Sequence, residues 1–184
     1  MPWDYSIYPE LTNAQKECFG TIGETIYMIQ LAERAILTCS KFVFGDSEKL
    51  LLDNFYNEQD ADKKKTLGQL LSKLGKRAEI HPQLEQILIG FRNKRNFFVH
   101  QIFLHADFGL HSDLAIKNTE KFLLDLQDDA WNVQNIFISC LLHWAKETGV
   151  YEHLPESFKN NKHLIQVGHK PFHLLFREKP KTKS

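Results

Sequence analysis

SDLAIKNTEKFLLDLQDDAWNVQNIFISCLLHWAKETG, residues 112–149, is the stretch that decides the fold of this chain. Its apolar residues recur at steps of three and four, the period of a helix with one buried face. Ser112 or Asp113 can cap the start of this helix, and Gly149 can stop it. The apolar stripe consists of Leu123, Leu126, Ala130, Val133, Phe137, Cys140 and Trp144. We therefore expect one long amphipathic helix that carries a large share of the core.

The preceding sequence repeats this pattern in blocks joined by short polar segments. Helices are predicted over residues 13–44, 47–57, 66–78 and 82–106. In the first helix the inward residues should be Phe19, Ile22, Ile26, Ile29 and Ile36, with Glu33 as the one interruption of the stripe. In the last of these four the inward residues should be Leu84, Ile87, Leu88, Phe91, Phe98 and Ile102.

The predicted fold class is all-α, a bundle of four to five helices with a short irregular or β-like C-terminal tail. We expect the helical domain to cover residues 1–155 and a basic tail to cover residues 156–184, where cations greatly outnumber acids after residue 158. A length of 184 residues suits one domain of this size. The tail could favour a phosphate backbone, or it could simply be a charged, disordered terminus.

Charge and cysteine usage narrow the possible functions. Lysine plus arginine and aspartate plus glutamate number 23 each, so bulk positive charge does not drive nucleic-acid binding, and any RNA contact must come from a local patch. Cys18, Cys39 and Cys140 are widely separated and are interpreted as reduced core thiols. Neither a signal peptide nor a membrane-spanning run is recognisable. These features predict a cytoplasmic protein that needs no cofactor.

One segment carries an unusual charge pattern. Residues 86–106 contain Arg92, Lys94, Arg95, His100 and His105, with no aspartate or glutamate among them. Helix surfaces usually mix charges of both signs. A helix of cations and histidines creates a local positive field, which suits an anion, a partner's acidic face or the acids of neighbouring helices.

Arg95-Asn96-Phe97-Phe98-Val99-His100 lies within this segment. Each residue of a helix advances by about 100°, so Asn96 and His100 share a face, while Arg95 lies about 140° from His100. Arg92 lies near the face of His100. A single helix therefore does not clamp one phosphate well between Arg95 and His100. Two such helices meeting across a two-fold axis could do so, and this geometry favours a homodimer.

The R-N-x-x-x-H string resembles the HEPN superfamily, whose motif is an arginine and a histidine separated by four to six residues, often with a polar residue after the arginine. The T-L-G-x-L string at residues 66–70 and the Gln101-Ile102-Phe103 segment are also similar to bacterial members. The likeness covers roughly residues 14–147, and it is specific only over the six-residue motif. Some toxin members carry a modified tyrosine two residues after the histidine, where this chain has Ile102.

This resemblance implies a dimeric, metal-independent ribonuclease, a toxin or defence protein, with RNA as substrate and an antitoxin as a partner. It implies Arg95 and His100 as the catalytic pair and Asn96 as their accompanying polar residue. His100 would move a proton during attack of a ribose 2′-OH on the adjacent phosphate, and Arg95 would hold that phosphate. Arg92 and Lys94 are the candidate substrate-binding cations.

Other interpretations of the same residues stay open. The chain could be a non-catalytic helical interaction or scaffold protein with a HEPN-like fold, or it could bind a small phosphate ligand through Arg92, Arg95 and His100. A metal site is disfavoured because the histidines and Asp107 lack ligand spacing. Three further acids, Asp125, Asp128 and Asp129, are expected to form a solvated face that pairs with the basic helix.

Overall fold

Helices dominate the chain, and the fold-class prediction is confirmed. The computed structural model describes residues 10–43, 67–153, 156–159 and 176–178. The elements in chain order are α1 (Asn13–Phe42), α2 (Leu67–Arg77), β1 (Ala78–Ile80), α3 (Pro82–His100), α4 (Asp113–Glu147), α5 (Glu156–Lys159) and β2 (Phe176–Glu178). Short 3-10 turns at Ile102–Leu104 and Val150–His153 follow α3 and α4. The helix predicted over residues 47–57 lies outside the described residues.

The ends of the long helices follow from local hydrogen bonding. α1 begins with a capping box: Thr12 Oγ1 accepts from the Gln15 amide at 3.2 Å, and Gln15 Oε1 accepts from the Thr12 amide at 2.8 Å. Ser112 Oγ caps α4 by accepting from the Ala115 amide at 3.2 Å. α4 is followed by Gly149 at φ 75°, a left-handed conformation that glycine adopts without steric cost. The predicted start and stop of α4 are confirmed.

The core lies mainly between α1 and α4. On α4 the predicted stripe is fully buried from Leu123 to Cys140, and Trp144 at its end is half-buried. Trp131, which also has core spacing, is 42% exposed instead. The buried stripe faces one side of α1, and Gln127 of α4 adds a polar link by donating to Thr25 Oγ1 at 3.0 Å. The sequence of α4 was therefore sufficient to predict the inner face of the longest helix.

The inner face of α1 differs from the prediction. Phe19 and Ile26 were expected to face inward, but they are 47% and 44% exposed. The fully or almost fully buried residues are Cys18, Thr25, Ile29, Ala32, Ile36 and Cys39. Small side chains on this face let α1 approach α4 closely, and a hydrophobic pattern gives them little weight because they bury little area. The prediction for Phe19 and Ile26 was wrong for this reason.

The three cysteines are buried and free, as expected for core thiols. Burial raises the pKa of the Cys39 thiol, and a hydrogen bond with Cys140 raises it further. The Cys39 thiol therefore stays protonated near neutral pH, and Cys39 and Cys140 act as small apolar side chains in the packing of α1 against α4.

α3 ends earlier than its periodicity suggests. The helix was predicted to run to residue 106, but it stops at His100, and Gln101 has a φ of −133°. The turn that follows keeps Ile102 buried and brings Phe108 against Phe97, with ring centroids 5.5 Å apart. Ile87, predicted to be buried, is 43% exposed. Periodicity gives the angle of a side chain around the helix but not how far the neighbouring helices extend along it.

Part of the C-terminal tail pairs with the helical region. β2 runs antiparallel to β1, with Phe176 opposite Ile80 and Glu178 opposite Ala78. The β-like tail is thus confirmed over three residues, while the boundary at residue 155 stays a prediction. Within the part of the chain that the structure describes, no helix is both long and apolar enough to cross a membrane.

Two adjacent leucines of α4 allow a matched test of this core. Leu123 is fully buried and Leu124 is 56% exposed. We expect Leu123→Ala to lower the free energy of unfolding by about 2–5 kcal/mol because it leaves a cavity. Leu124→Ala, with the same change in helix propensity, should lower it by less than about 1 kcal/mol. Urea unfolding followed by circular dichroism measures both, and equal losses would contradict this assignment of the core.

Candidate functional site

α3 places the predicted site residues on its two flanks and its outer face. Its inner side is buried through Leu84, Leu88, Phe91 and Phe98, which belong to the same core as α1 and α4. His81 caps the helix by accepting from the Gln83 amide at 3.3 Å, and Pro82 follows at the first position, as predicted. The core therefore fixes the rotation of α3 about its axis, and this rotation determines what each polar side chain meets.

The Lys94 side chain points to α4 and forms ion pairs with two aspartates there. Its Nζ lies 2.6 Å from Asp125 Oδ2 and 2.8 Å from Asp129 Oδ2. Partial burial lowers the pKa of Lys94, but the hydrogen bonds to the two carboxylates raise it by more, so the net change is upward. The interpretation that these acids pair with the basic helix is confirmed for Asp125 and Asp129. Lys94, a candidate substrate-binding cation, is thus already neutralised within the fold.

Arg95 turns to the other flank and meets α1. Its Nε donates to Glu33 Oε1 at 3.1 Å, and its Nη1 donates to Asn96 Oδ1 at 3.3 Å. The side chains of Arg95 and Glu33 are only 22% and 25% exposed. A pair of this kind is held in one geometry because the surrounding packing leaves little room for other rotamers. The structure thereby joins two of the three predicted catalytic residues, Arg95 and Asn96.

His100 is the last residue of α3 and is exposed. Within the described residues its imidazole takes part in no hydrogen bond or ion pair. Asn96, one turn earlier, is exposed as well. Arg92 is half-buried, and its Nε and Nη2 donate to Oδ1 of its neighbour Asn93, at 3.4 and 3.3 Å.

Within one chain, the predicted residues do not form a single cluster. Arg95 points toward Glu33 on α1, whereas His100 lies on the outer side of the same helix. No described contact joins these two side chains. This separation agrees with the angle of about 140° expected from helix rotation alone. One copy of the chain therefore has the positioned guanidinium of Arg95 on one flank of α3 and the exposed imidazole of His100 on its outer face.

The polar groups beyond α3 show no metal centre. His105 Nδ1 lies 3.9 Å from Asp107 Oδ2, and the His105 ring packs edge-on against Phe97. Among the residues that the structure describes, no group of three or more histidine, cysteine or acidic side chains is placed to hold a metal ion.

Sequence reasoning did not identify Glu33 as a site residue. The available signal was its position as the only charged residue in the predicted apolar stripe of α1, between Ile29 and Ile36. A charge at an inward position needs a partner, and Arg95 on a neighbouring helix is that partner. The sequence alone does not indicate which cation would form the ion pair with Glu33.

Comparison with family models, with curated proteins and with solved structures gives no match for this chain. The HEPN resemblance consequently depends on the motif and on the all-helical fold.

The two acids around Lys94 suggest a test of how α3 is held against α4. We expect Lys94→Met, which keeps most of the apolar stem, to lower the free energy of unfolding by about 0.5–1 kcal/mol. The loss arises because Asp125 and Asp129 are left unpaired one turn apart, and it should shrink in 1 M salt as in any screened interaction. Lys117→Met, at an exposed position of α4, is the control and should be close to neutral. A loss that does not depend on salt would contradict an electrostatic role for Lys94.

Proposed function

We propose that this chain is a metal-independent endoribonuclease that acts as a homodimer, with Arg95, Asn96 and His100 as its catalytic residues. Arg92 is the stronger of the two candidate RNA-binding cations, because Lys94 is occupied by two aspartates. The observation that carries the proposal is the exposed His100 imidazole at the end of α3, on the same face as an asparagine that is bonded to a fixed arginine.

The chemistry available to these groups is transfer of a phosphoryl group within RNA. His100 can accept the proton of a ribose 2′-OH as that oxygen attacks the adjacent phosphorus. The P–O5′ bond breaks, and the departing 5′-oxygen takes up a proton, which leaves a 2′,3′-cyclic phosphate and a 5′-hydroxyl. Arg95 can stabilise the charge that builds on the phosphate oxygens, and Asn96 Nδ2 can donate to the same group. None of these steps calls for a metal ion or a cofactor.

The outer face of α3 supports the dimer part of the proposal. At steps of three and four along the helix, one line of residues contains no lysine, arginine, aspartate or glutamate. We call this line the α3 seam; it consists of Gln86, Ile89, Asn93, Asn96 and His100. All are exposed except Ile89, which is half-buried. Such a 3-4 spacing is the pattern by which two helices pack side by side.

Packing of two α3 seams would bring site residues from two copies of the chain together. Across a two-fold axis, each copy faces the same surface of its partner. His100 of one copy would then approach the outer face of α3 in the other copy, with Arg92 beside that face and Arg95 farther round the helix. In this way a dimer can bring guanidinium and imidazole groups to one phosphate, which a single α3 cannot do.

A second candidate function is a non-catalytic helical interaction module. The observation that favours it is the neutralisation of Lys94 by Asp125 and Asp129 and of Arg95 by Glu33. In this interpretation the basic residues of α3 hold the bundle together, and the α3 seam binds a partner without chemistry. It predicts that association survives the double variant Arg95→Ala and His100→Ala.

A ribonuclease of this kind fits a toxin or defence role, because unrestrained cleavage of cellular RNA stops growth. An antitoxin partner would have to cover the outer face of α3 or keep the two copies apart.

The first experiment uses purified protein and single-stranded RNA in the presence of a chelator. We expect cleavage that yields 2′,3′-cyclic phosphate ends, and a loss of about 100-fold or more in rate for His100→Ala, the range for a general acid–base group. His111→Ala, which removes another exposed histidine, is the control and should cleave like the native chain. Native protein that leaves all RNA intact, or His100→Ala with native activity, would refute the proposal.

A second experiment tests the dimer without RNA. Asn93→Glu places a carboxylate in the middle of the α3 seam, where two-fold symmetry brings like charges together. We expect it to weaken the dimer by about tenfold or more in sedimentation measurements, as like-charge contacts do at interfaces. Asn132→Glu, the same change at an exposed position of α4, should leave it unaffected. The dimer proposal fails if the native chain sediments as a monomer at tens of micromolar.

A further inference from the structure

The contact between Glu33 and Arg95 is unusual for its place in the fold. Glu33 lies on α1 one turn from Ile29 and Ile36, both of which are buried in the core. Its side chain is three-quarters buried, and Oε1 accepts from Arg95 Nε at 3.1 Å. An apolar residue at this position would extend the core without the desolvation cost of two charged groups. The pair is therefore better explained by its effect on Arg95 than by packing of the core.

The donors of Arg95 show what the pair achieves. A guanidinium is planar and carries five N–H bonds. One of them, on Nε, is directed to Glu33, and one on Nη1 is directed to Asn96 Oδ1. Two contacts in different directions fix the plane of the group. Among the described residues, no other contact uses the remaining N–H bonds, one on Nη1 and two on Nη2, and a guanidinium edge with Nη1 and Nη2 can bind two oxygens of a phosphate side by side.

We propose that Glu33 is a positioning residue of the site: it holds Nε of Arg95 and thereby presents the Nη1–Nη2 edge to the scissile phosphate. This inference rests on the proposed ribonuclease function. Glu33 itself does not touch the substrate. Its role is to keep one orientation of the guanidinium, so that no reorientation is needed as charge develops on the phosphate.

The charge of Glu33 gives this role a kinetic signature. Its carboxylate reduces the positive potential around Arg95, so removal of the carboxylate should leave RNA binding unchanged or tighter. The same removal frees the guanidinium to rotate and should slow the chemical step. We therefore expect kcat, expressed per folded molecule as measured by circular dichroism, to fall while KM stays constant or falls.

The kinetic test compares three variants of the full chain. Glu33→Ala should lower kcat by about 10- to 100-fold, the size expected when a reacting group is misplaced. Glu33→Gln keeps an acceptor oxygen at the same reach and should stay within about fivefold of native kcat, because a neutral acceptor is weaker but similarly placed. Glu24→Ala, at an exposed position of the same helix, should behave like the native chain. Unchanged or faster cleavage by Glu33→Ala would overturn the inference, and a faster rate would make Glu33 an inhibitor of Arg95.

A second readout separates this inference from the ribonuclease proposal. The Arg95 Nε–H signal in ¹⁵N NMR, identified by its loss in Arg95→Lys, should be protected from exchange in the native chain and in Glu24→Ala but not in Glu33→Ala. A 2′-O-methyl RNA oligonucleotide lacks the 2′-OH nucleophile and therefore cannot be cleaved by this chemistry. Its binding should shift the Arg95 Nε–H signal in the native chain. If native protein does not cleave RNA but this shift occurs and depends on Glu33, the ribonuclease proposal fails and the positioning role stands. An exposed Nε–H in the native chain, or an Arg95 signal unaffected by the oligonucleotide, overturns the positioning role.

Discussion

Close packing of α1 against α4 is the constraint on which the other described elements depend. The contact face of α1 consists of small and medium side chains, among them Cys18, Thr25, Ala32 and Cys39, and this lets two long helices approach along much of their length. Gln127 bonds Thr25 across this contact, and the Cys39 thiol bonds that of Cys140. A larger side chain at one of these positions would separate the helices and disturb every element that packs on both of them.

α3 is held against this pair by apolar and ionic contacts that have different roles. Leu84, Leu88, Phe91 and Phe98 bury their apolar side chains in this contact, and the burial of apolar area stabilises the attachment. The ionic contacts add direction: Lys94 reaches α4 on one flank, and Arg95 reaches α1 on the other. Exposed or half-exposed ion pairs stabilise a fold only modestly. The core sets the rotation of α3 and these contacts reinforce it, so that the α3 seam, including His100, faces outward.

The proposed activity follows from this division of one helix into an inner side, two flanks and an outer face. Binding and catalysis need groups that are fixed yet accessible, and a helix end on a rigid bundle supplies both. Arg95 is fixed but partly neutralised, while His100 is accessible but has no described partner. One site contains both a fixed and an accessible group only when a second surface covers the α3 seam. For this reason the catalytic and the scaffold interpretations share a prediction that a second surface covers the α3 seam, and they differ in whether chemistry follows.

The sequence by itself determined the helical class, the caps and ends of α4, and the buried stripe from Leu123 to Cys140, because periodicity and capping are local properties of a chain. It also located the acid-free segment and the Arg95–His100 motif. Only the tertiary structure decided that Phe19, Ile26 and Ile87 face solvent, that α3 stops at His100, and that Glu33 is the partner of Arg95. These outcomes depend on how closely and how far neighbouring helices pack. Such distances join residues far apart in the chain, and no pattern of spacing along one helix contains them.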